Sequence, residues 1–311
     1  MIYIFMKQFW ISVLLFLSFF AQAQVLSDSE EKILKNAYGE LYYGNEQFSF
    51  DTFFEKDSLK YTYSVTKKKL CILNTSNQII SETKVNIKKS VLPHFSTNNQ
   101  KVILQNFDTD KEFCIIEGKQ VYTRKKNIPN KVTASYILPI DAAVQFEVHQ
   151  RDVGPSQKLS KVLLYKVNEK EDTLYQDTQT RINRKVNTSP RVSLCQYQEK
   201  VYFFNADQQL ILIFDTKGNR LGEINLKKIE DEYIATYMLN FLVDIQANKL
   251  YVSTILRDKT YIWDILSQEN IKKYELPFRI YKIHQILGDE LYFSMSTEGS
   301  KQQYIYKRSF K

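Results

Sequence analysis

Residues 191–223 read RVSLCQYQEKVYFFNADQQLILIFDTKGNRLGE, and this stretch decides the fold. It holds four short runs of β-type residues parted by turn formers. Arg191–Cys195 leads through the polar Gln198-Glu199 to Lys200–Phe204, and a loop then leads to the triplet Leu212-Ile213-Phe214. Asp215-Thr216-Lys217-Gly218-Asn219 turns the chain into a last run, Arg220-Leu221-Gly222-Glu223. Asp, Gly and Asn supply the backbone freedom and local hydrogen bonds of a tight hairpin turn. Successive side chains of a strand point to opposite sides, so three apolar residues in a row mean a strand covered on both faces. The stretch reads as strands A, B, C and D of one antiparallel sheet.

The triplet recurs. Cys71-Ile72-Leu73, Cys114-Ile115-Ile116, Leu163-Leu164-Tyr165, Leu212-Ile213-Phe214, Tyr261-Ile262-Trp263 and Tyr304-Ile305-Tyr306 follow one another at spacings of 43, 49, 49, 49 and 43 residues. A period in the forties carried by β patterning is that of a propeller blade. Strand B candidates precede the other triplets at Lys60–Ser64, Lys101–Gln105, Ala143–Glu147, Lys249–Ser253 and Glu290–Ser294. Six copies fill residues 48–311, and the last reaches Phe310-Lys311 with no strand D. An open blade would expose unpaired backbone groups, so Glu40–Gly44 is expected to supply the outer strand. Ahead of it, Ser27 and Glu30 have capping-box spacing, and Ile33, Leu34, Ala37 and Leu41 fall at helical intervals. The expectation is an all-β chain, a six-bladed β-propeller of four-stranded antiparallel blades. It carries a short N-terminal helix, and an N-terminal strand closes its ring. An outer-membrane barrel is the rival, but a barrel wall alternates lipid-facing and lumen-facing residues and does not use apolar triplets.

The order of strands, the period and the hairpin from Phe214 to Leu221 resemble the six-bladed propellers of the NHL and TolB-like superfamily. The chain departs from NHL repeats in its few Gly and in having a strongly marked turn in one blade only. The resemblance spans nearly all of residues 24–311 and is architectural; fold analogy carries no function. Some propellers of this kind are calcium-dependent lactonases or esterases, and others are lyases. For a calcium enzyme the resemblance implies oxygen ligands on strands A around the central channel, for which Asp51, Asn240 and Asp244 are the matching positions.

Residues 1–24 read MIYIFMKQFWISVLLFLSFFAQAQ. Lys7 precedes an apolar run of 12 residues, Phe9 to Phe20, and Ala21-Gln22-Ala23 gives the small-x-small pattern of a cleavage site. A membrane-spanning helix needs about 20 apolar residues. Residues 1–23 therefore read as a signal peptide, 24–47 as helix and closing strand, and 48–311 as the propeller of a periplasmic or secreted protein. The peptide resembles those of exported proteins of Gram-negative bacteria. No other stretch is apolar enough to span a membrane. Hydrophobic residues make up 43% of the 311, too many for a disordered chain. Lys and Arg number 43 against 35 Asp and Glu, but the lysines are dispersed, and no nucleic-acid partner is expected. Cys71, Cys114 and Cys195 are expected to be buried, reduced thiols in a monomer.

No G-x-S-x-G, H-E-x-x-H, C-x-x-C, Walker loop or G-x-G-x-x-G is present, so no catalytic residue, metal or cofactor is assigned. His94 and His284 read as structural histidines. Asp215 and Asp264 follow triplets and are expected to bond turn amides. Trp263 and the triplet tyrosines read as core. The chain has nine arginines. Arg151 and Arg257 fall in B–C connections, and Arg181, Arg184, Arg191 and Arg279 in or beside D–A connections. Both kinds of connection emerge at one end of a blade. His149 opens the long segment His149–Lys161, and Asp177–Pro190 is the other long one. A guanidinium binds carboxylate, sulfate or phosphate in bidentate fashion. His149, Arg151, Arg181, Arg184, Arg191, Arg257 and Arg279 are therefore the ligand-binding candidates. The expected function is an exported envelope module binding an anionic glycan, peptide or envelope protein. A calcium-dependent or lyase-like propeller enzyme and a structural subunit of an envelope assembly stay open.

Overall fold

The computed structural model describes residues 40–43, 52–87, 94–98, 101–105, 112–125, 132–141, 143–153, 159–167, 171–180, 192–205, 208–226, 240–244, 246–256, 259–266, 271–277, 280, 282–294 and 304–311. They hold 24 strands and no α-helix. Tyr42–Lys311 form one compact unit. β1 (Glu40–Tyr43) precedes blade one, which is β2 (Thr52–Lys56), β3 (Leu59–Ser64), β4 (Lys69–Leu73) and β5 (Ile79–Lys84). Blade two is β6 (His94–Asn98), β7 (Lys101–Gln105), β8 (Glu112–Glu117) and β9 (Gln120–Lys125). Blade three is β10 (Val132–Pro139), β11 (Gln145–Val153), β12 (Leu159–Val167) and β13 (Glu171–Thr180). Blade four is β14 (Val192–Tyr197), β15 (Lys200–Asn205), β16 (Leu210–Asp215) and β17 (Arg220–Asn225). Blade five is β18 (Asn240–Asp244), β19 (Lys249–Leu256), β20 (Lys259–Asp264) and β21 (Lys272–Leu276). Blade six is β22 (Lys282–Leu287), β23 (Glu290–Ser294), β24 (Ile305–Ser309) and, outermost, β1.

The strands make six separate four-stranded sheets, not one closed wall. The chain is an all-β, six-bladed propeller whose last blade takes its outer strand from the N-terminal side. The helix expected ahead of β1, and residues 1–23, lie outside the described residues.

Burial follows the triplets. In β16, Ile211 to Phe214 are all buried, whereas β5 alternates half-buried with exposed residues, as an outer strand with one wet face should. In blades one, three and four the pairing of strands C and D shifts between the second and third residues of the triplet, at Ile72/Leu73, Leu164/Tyr165 and Ile213/Phe214. Such a bulge adds twist and turns the outer strand.

The turns show why the sequence signal was strongest in blade four. Asp215 Oδ1 accepts from the amides of Lys217 and Asn219 at 2.9 and 2.8 Å. Asn74 Oδ1 does the same for Gln78 N at 2.9 Å in blade one. Gly218 has φ +89°, and a Cβ there would lie 3.0 Å from Lys166 Cδ of blade three, so this turn needs glycine on two counts. Asp264 has a partner that Asp215 lacks. Its Oδ2 lies 2.5 Å from Lys249 Nζ in an ion pair, and the turn residues 267–270 lie outside the described residues.

Candidate functional site

Strands A face the ring axis. β2 meets β6 and β22, β18 meets β14 and β22, and β6 meets β14 directly. They surround a cavity of about 580 Å³, counting space open to solvent, with lining residues from β2, β6, β14, β18 and β22. No described residue of β10 lines it. The cavity reaches the first residues of β2 and β22, Thr52 and Lys282, and the second residues of β14 and β18, Ser193 and Phe241. Antiparallel pairing puts the end of strand B beside the start of strand A, as in Lys282 opposite Ser294. The cavity therefore reaches toward the end of the sheets from which B–C and D–A connections leave.

Polar side chains make up seven of the fifteen described lining residues. Phe54, Phe95, Leu194, Phe241 and Ile283 supply hydrocarbon. Ser96 Oγ is buried with no hydrogen-bond partner. Ser193 Oγ accepts from Phe241 N at 3.4 Å, which ties blade four to blade five and leaves the hydroxyl proton to donate. Thr97 is turned away, giving its hydroxyl to Lys101 O at 3.0 Å. Lys282 is 7% exposed and His284 6%. His284 Nδ1 accepts from Phe53 N at 3.2 Å, so its proton sits on Nε2, 2.6 Å from Ser294 Oγ. Burial, aided by the charge of Lys282, holds the imidazole well below its ordinary pKa. With His284 neutral, Lys282 is the single formal charge among the described lining residues.

Among the described residues, the oxygen ligands a calcium enzyme would need do not assemble here. Asp244 is fully buried, but its Oδ1 accepts from Gln246 N and Ala247 N at 3.0 Å each, capping the A–B turn. Its Oδ2 is buried without a partner, and the described lining holds no carboxylate. Among the described residues no three His, Cys, Asp or Glu side chains cluster. Asp51 and the side chain of Asn240 lie outside the described residues.

His149 was expected to open a loop. Instead β11 runs on to Val153 and holds His149 inside the blade, 1% exposed. Gln145, Glu147 and His149 share one face of β11: Gln145 donates to Glu147 Oε1 at 2.5 Å, and His149 Nε2 lies 2.6 Å from Glu147 Oε2. The Tyr165 ring centroid is 5.1 Å from that of His149. Glu147 is thus satisfied inside the blade, while His149 Nδ1 is buried without a partner, and none of the three lines the axial cavity. Arg151 likewise lies in β11, opposite Val132 and Lys161, and not in a loop. Arg181, Arg184, Arg191, Arg257 and Arg279 lie outside the described residues.

All three cysteines are free and buried. Burial pushes the Cys71 and Cys114 thiols up to about 11, Glu82 adding to the effect on Cys71. These are poor nucleophiles. Sequence reasoning missed the cavity residues, because Ser and Thr in a strand carry no signal of their own. Lys282 did leave one, as a lone cation between Tyr281 and Ile283 in an apolar strand A.

Fold and site together define a six-bladed propeller with an axial cavity of mixed polarity, in which Lys282 is the one formal charge among the described lining residues. No protein-family model matches the chain, and no curated protein is similar to it. Among solved structures it is similar to a streptogramin B lyase, with TM-score 0.50, 12% identity, and 88% of this chain and 89% of that one covered. It is also similar to a luciferin-regenerating enzyme, with TM-score 0.48, 11% identity and coverage of 82% and 89%. A third is the calcium-binding protein regucalcin from Agrobacterium tumefaciens, with TM-score 0.46, 10% identity and coverage of 87% and 98%. At such identities the likeness is one of fold.

Proposed function

We propose that the chain is an exported binding module of the bacterial envelope that takes an anionic glycan, peptide or protein surface at the end of the ring where strands A begin. Its signal segment, residues 1–23, is removed on export. One topological observation carries the reading. Arg257 lies in the segment joining β19 to β20, Arg279 in that joining β21 to β22, and Arg181, Arg184 and Arg191 in that joining β13 to β14. Every one of those strand ends is at the end toward which the axial cavity reaches. Arg151 is near the end of β11 on the same side. Guanidinium groups carried by those segments suit oxyanions, and dispersed lysines alone would not select a face.

The test is retention on immobilised heparin, as a polyanionic probe, at physiological salt. Changing Arg181 and Arg257 together to Ala should weaken retention with no change in melting temperature. The control changes Lys119 and Lys217 to Ala, an equal loss of charge in C–D turns at the other end of the sheets. Equal loss from both pairs would refute a face-specific site and leave only general electrostatics.

A further inference from the structure

The strand that closes the ring is also the shortest. β1 has four residues, whereas every other strand has five to ten. It lies beside β24 but leads on to β2, so no hairpin ties it to the edge it covers. Tyr42 supplies the anchor. Its hydroxyl donates to Glu55 Oε2 at 2.5 Å, and its ring stands edge-on to Tyr292 at 4.8 Å and to Phe53 at 6.1 Å between centroids. Lys60 Nζ, held by Asn77 Oδ1 at 2.6 Å, lies 4.7 Å from the ring centre. Burial, aided by the Glu55 carboxylate, pushes the phenol pKa up and keeps the hydroxyl a donor. The socket therefore suits a ring with a donor at its far end and an electron-rich face for the ammonium. When so short a strand opens, the edge of β24 and the apolar side chains of Phe53, Tyr292 and Ile305 lose their cover.

We infer that this socket also takes β1 of a second copy of the chain, so that two molecules exchange closing strands and each completes the other's blade six. The chemistry already in place fixes the occupant. A second copy brings the same tyrosine to the same Glu55, Lys60, Phe53 and Tyr292, and the same backbone to the edge of β24. The joint keeps every contact on exchange, so concentration and the entropy of the connecting residues 44–51 decide between one chain and two. Each copy gives one strand and takes one, which closes the assembly at a two-fold dimer. The arginine segments play no part in it.

The test mixes two variants of the mature chain, warmed to just below melting to equilibrate the strands and then read by native mass spectrometry. Tyr42→Ala keeps the socket and spoils the strand, whereas Glu55→Leu keeps the strand and spoils the socket. Wild type should be a monomer–dimer mixture whose dimer share rises with concentration. Each variant alone should dimerise much as wild type does, because exchange carries one spoiled joint per chain into the dimer. In the mixture, the heterodimer regains one intact joint and puts both defects into the other. It should exceed the statistical share about ten-fold, the worth of one hydrogen bond to a charged group. Wild type that stays monomeric at every concentration, or variants that pair only statistically, overturns the proposal. Should either variant fail to melt cooperatively, a peptide of residues 39–45 decides. It should dissociate the wild-type dimer at about a tenth of the concentration that its Tyr42→Phe form needs. Equal potency of the two peptides, or no effect of either, overturns the exchange.

Discussion

Two joints of the ring are built in opposite ways. Between blades four and five, a cluster of 13 buried side chains, from Cys195 and Phe204 to Val252 and Trp263, seals the joint by bulk. Between blades six and one, where the ring closes, the comparable cluster among the described residues has five: Phe53, Cys71, Leu73, Tyr292 and Ile305. There directional bonds take over. Gln285 Oε1 accepts from Glu55 N at 2.6 Å while its Nε2 donates to Glu55 O at 2.7 Å, so one side-chain amide replaces a rung of sheet. His284 takes Phe53 N, and Tyr42 gives its hydroxyl to Glu55 Oε2 at 2.5 Å while packing edge-on to Tyr292. Apolar area is non-directional and suffices where the chain itself delivers the next blade. Joining residues 230 apart in sequence also requires a register, and hydrogen bonds supply it. Gln105 repeats the device with Ile137 between blades two and three, at 2.6 and 3.0 Å.

The sharpest way to break this contrast is at the apolar joint. Trp263 is 1% exposed and among the largest buried side chains. Trp263→Ala should cost about 3–5 kcal/mol, read from urea unfolding midpoints. Gln285→Met, which keeps volume but loses both polar ends, strands the Glu55 amide and carbonyl and should cost about 2 kcal/mol. A loss below about 0.5 kcal/mol, within what ordinary surface substitutions do, would mean that apolar packing closes the ring as well.

The two joints also differ in how far they could be read from sequence. The triplets mark doubly covered strands, so the blades, their number and the apolar joints were legible, as was the closing strand from the missing strand D. Tyr42 gave no hint of its bond to Glu55, because a hydroxyl partner has no periodicity. His149 misled for a related reason. Gln145, Glu147, His149 and Arg151 alternate with Phe146, Val148 and Gln150, which looks like a strand giving way to solvent. Inside a blade Gln145 and His149 instead bond the Glu147 carboxylate, a pairing that periodicity does not signal. Asp264 occupies the position of Asp215, but Lys249 lies within reach and the following residues lack the Gly and Asn of blade four.

The smallest effect falls on the closing joint and depends on pH. His284 is neutral in the fold, an acceptor at Nδ1 and a donor at Nε2, and burial with Lys282 nearby keeps its pKa well below the ordinary value. An unfolded imidazole titrates near pH 6.5, at about its unperturbed value. Above that pH neither state takes the proton, and the full contribution of this group to stability is present. Below it the unfolded chain binds a proton that the folded chain refuses, so stability falls with pH until the folded value is reached, by at most about 1.4 kcal/mol per unit. His284→Asn keeps an acceptor for Phe53 N and removes the titration. Between pH 7 and 5 the melting temperature of wild type should therefore fall more steeply than that of the variant. Parallel slopes would mean that the closing joint tolerates a charged ring at this position, and the polar bonds of blades six and one would then owe nothing to a neutral histidine.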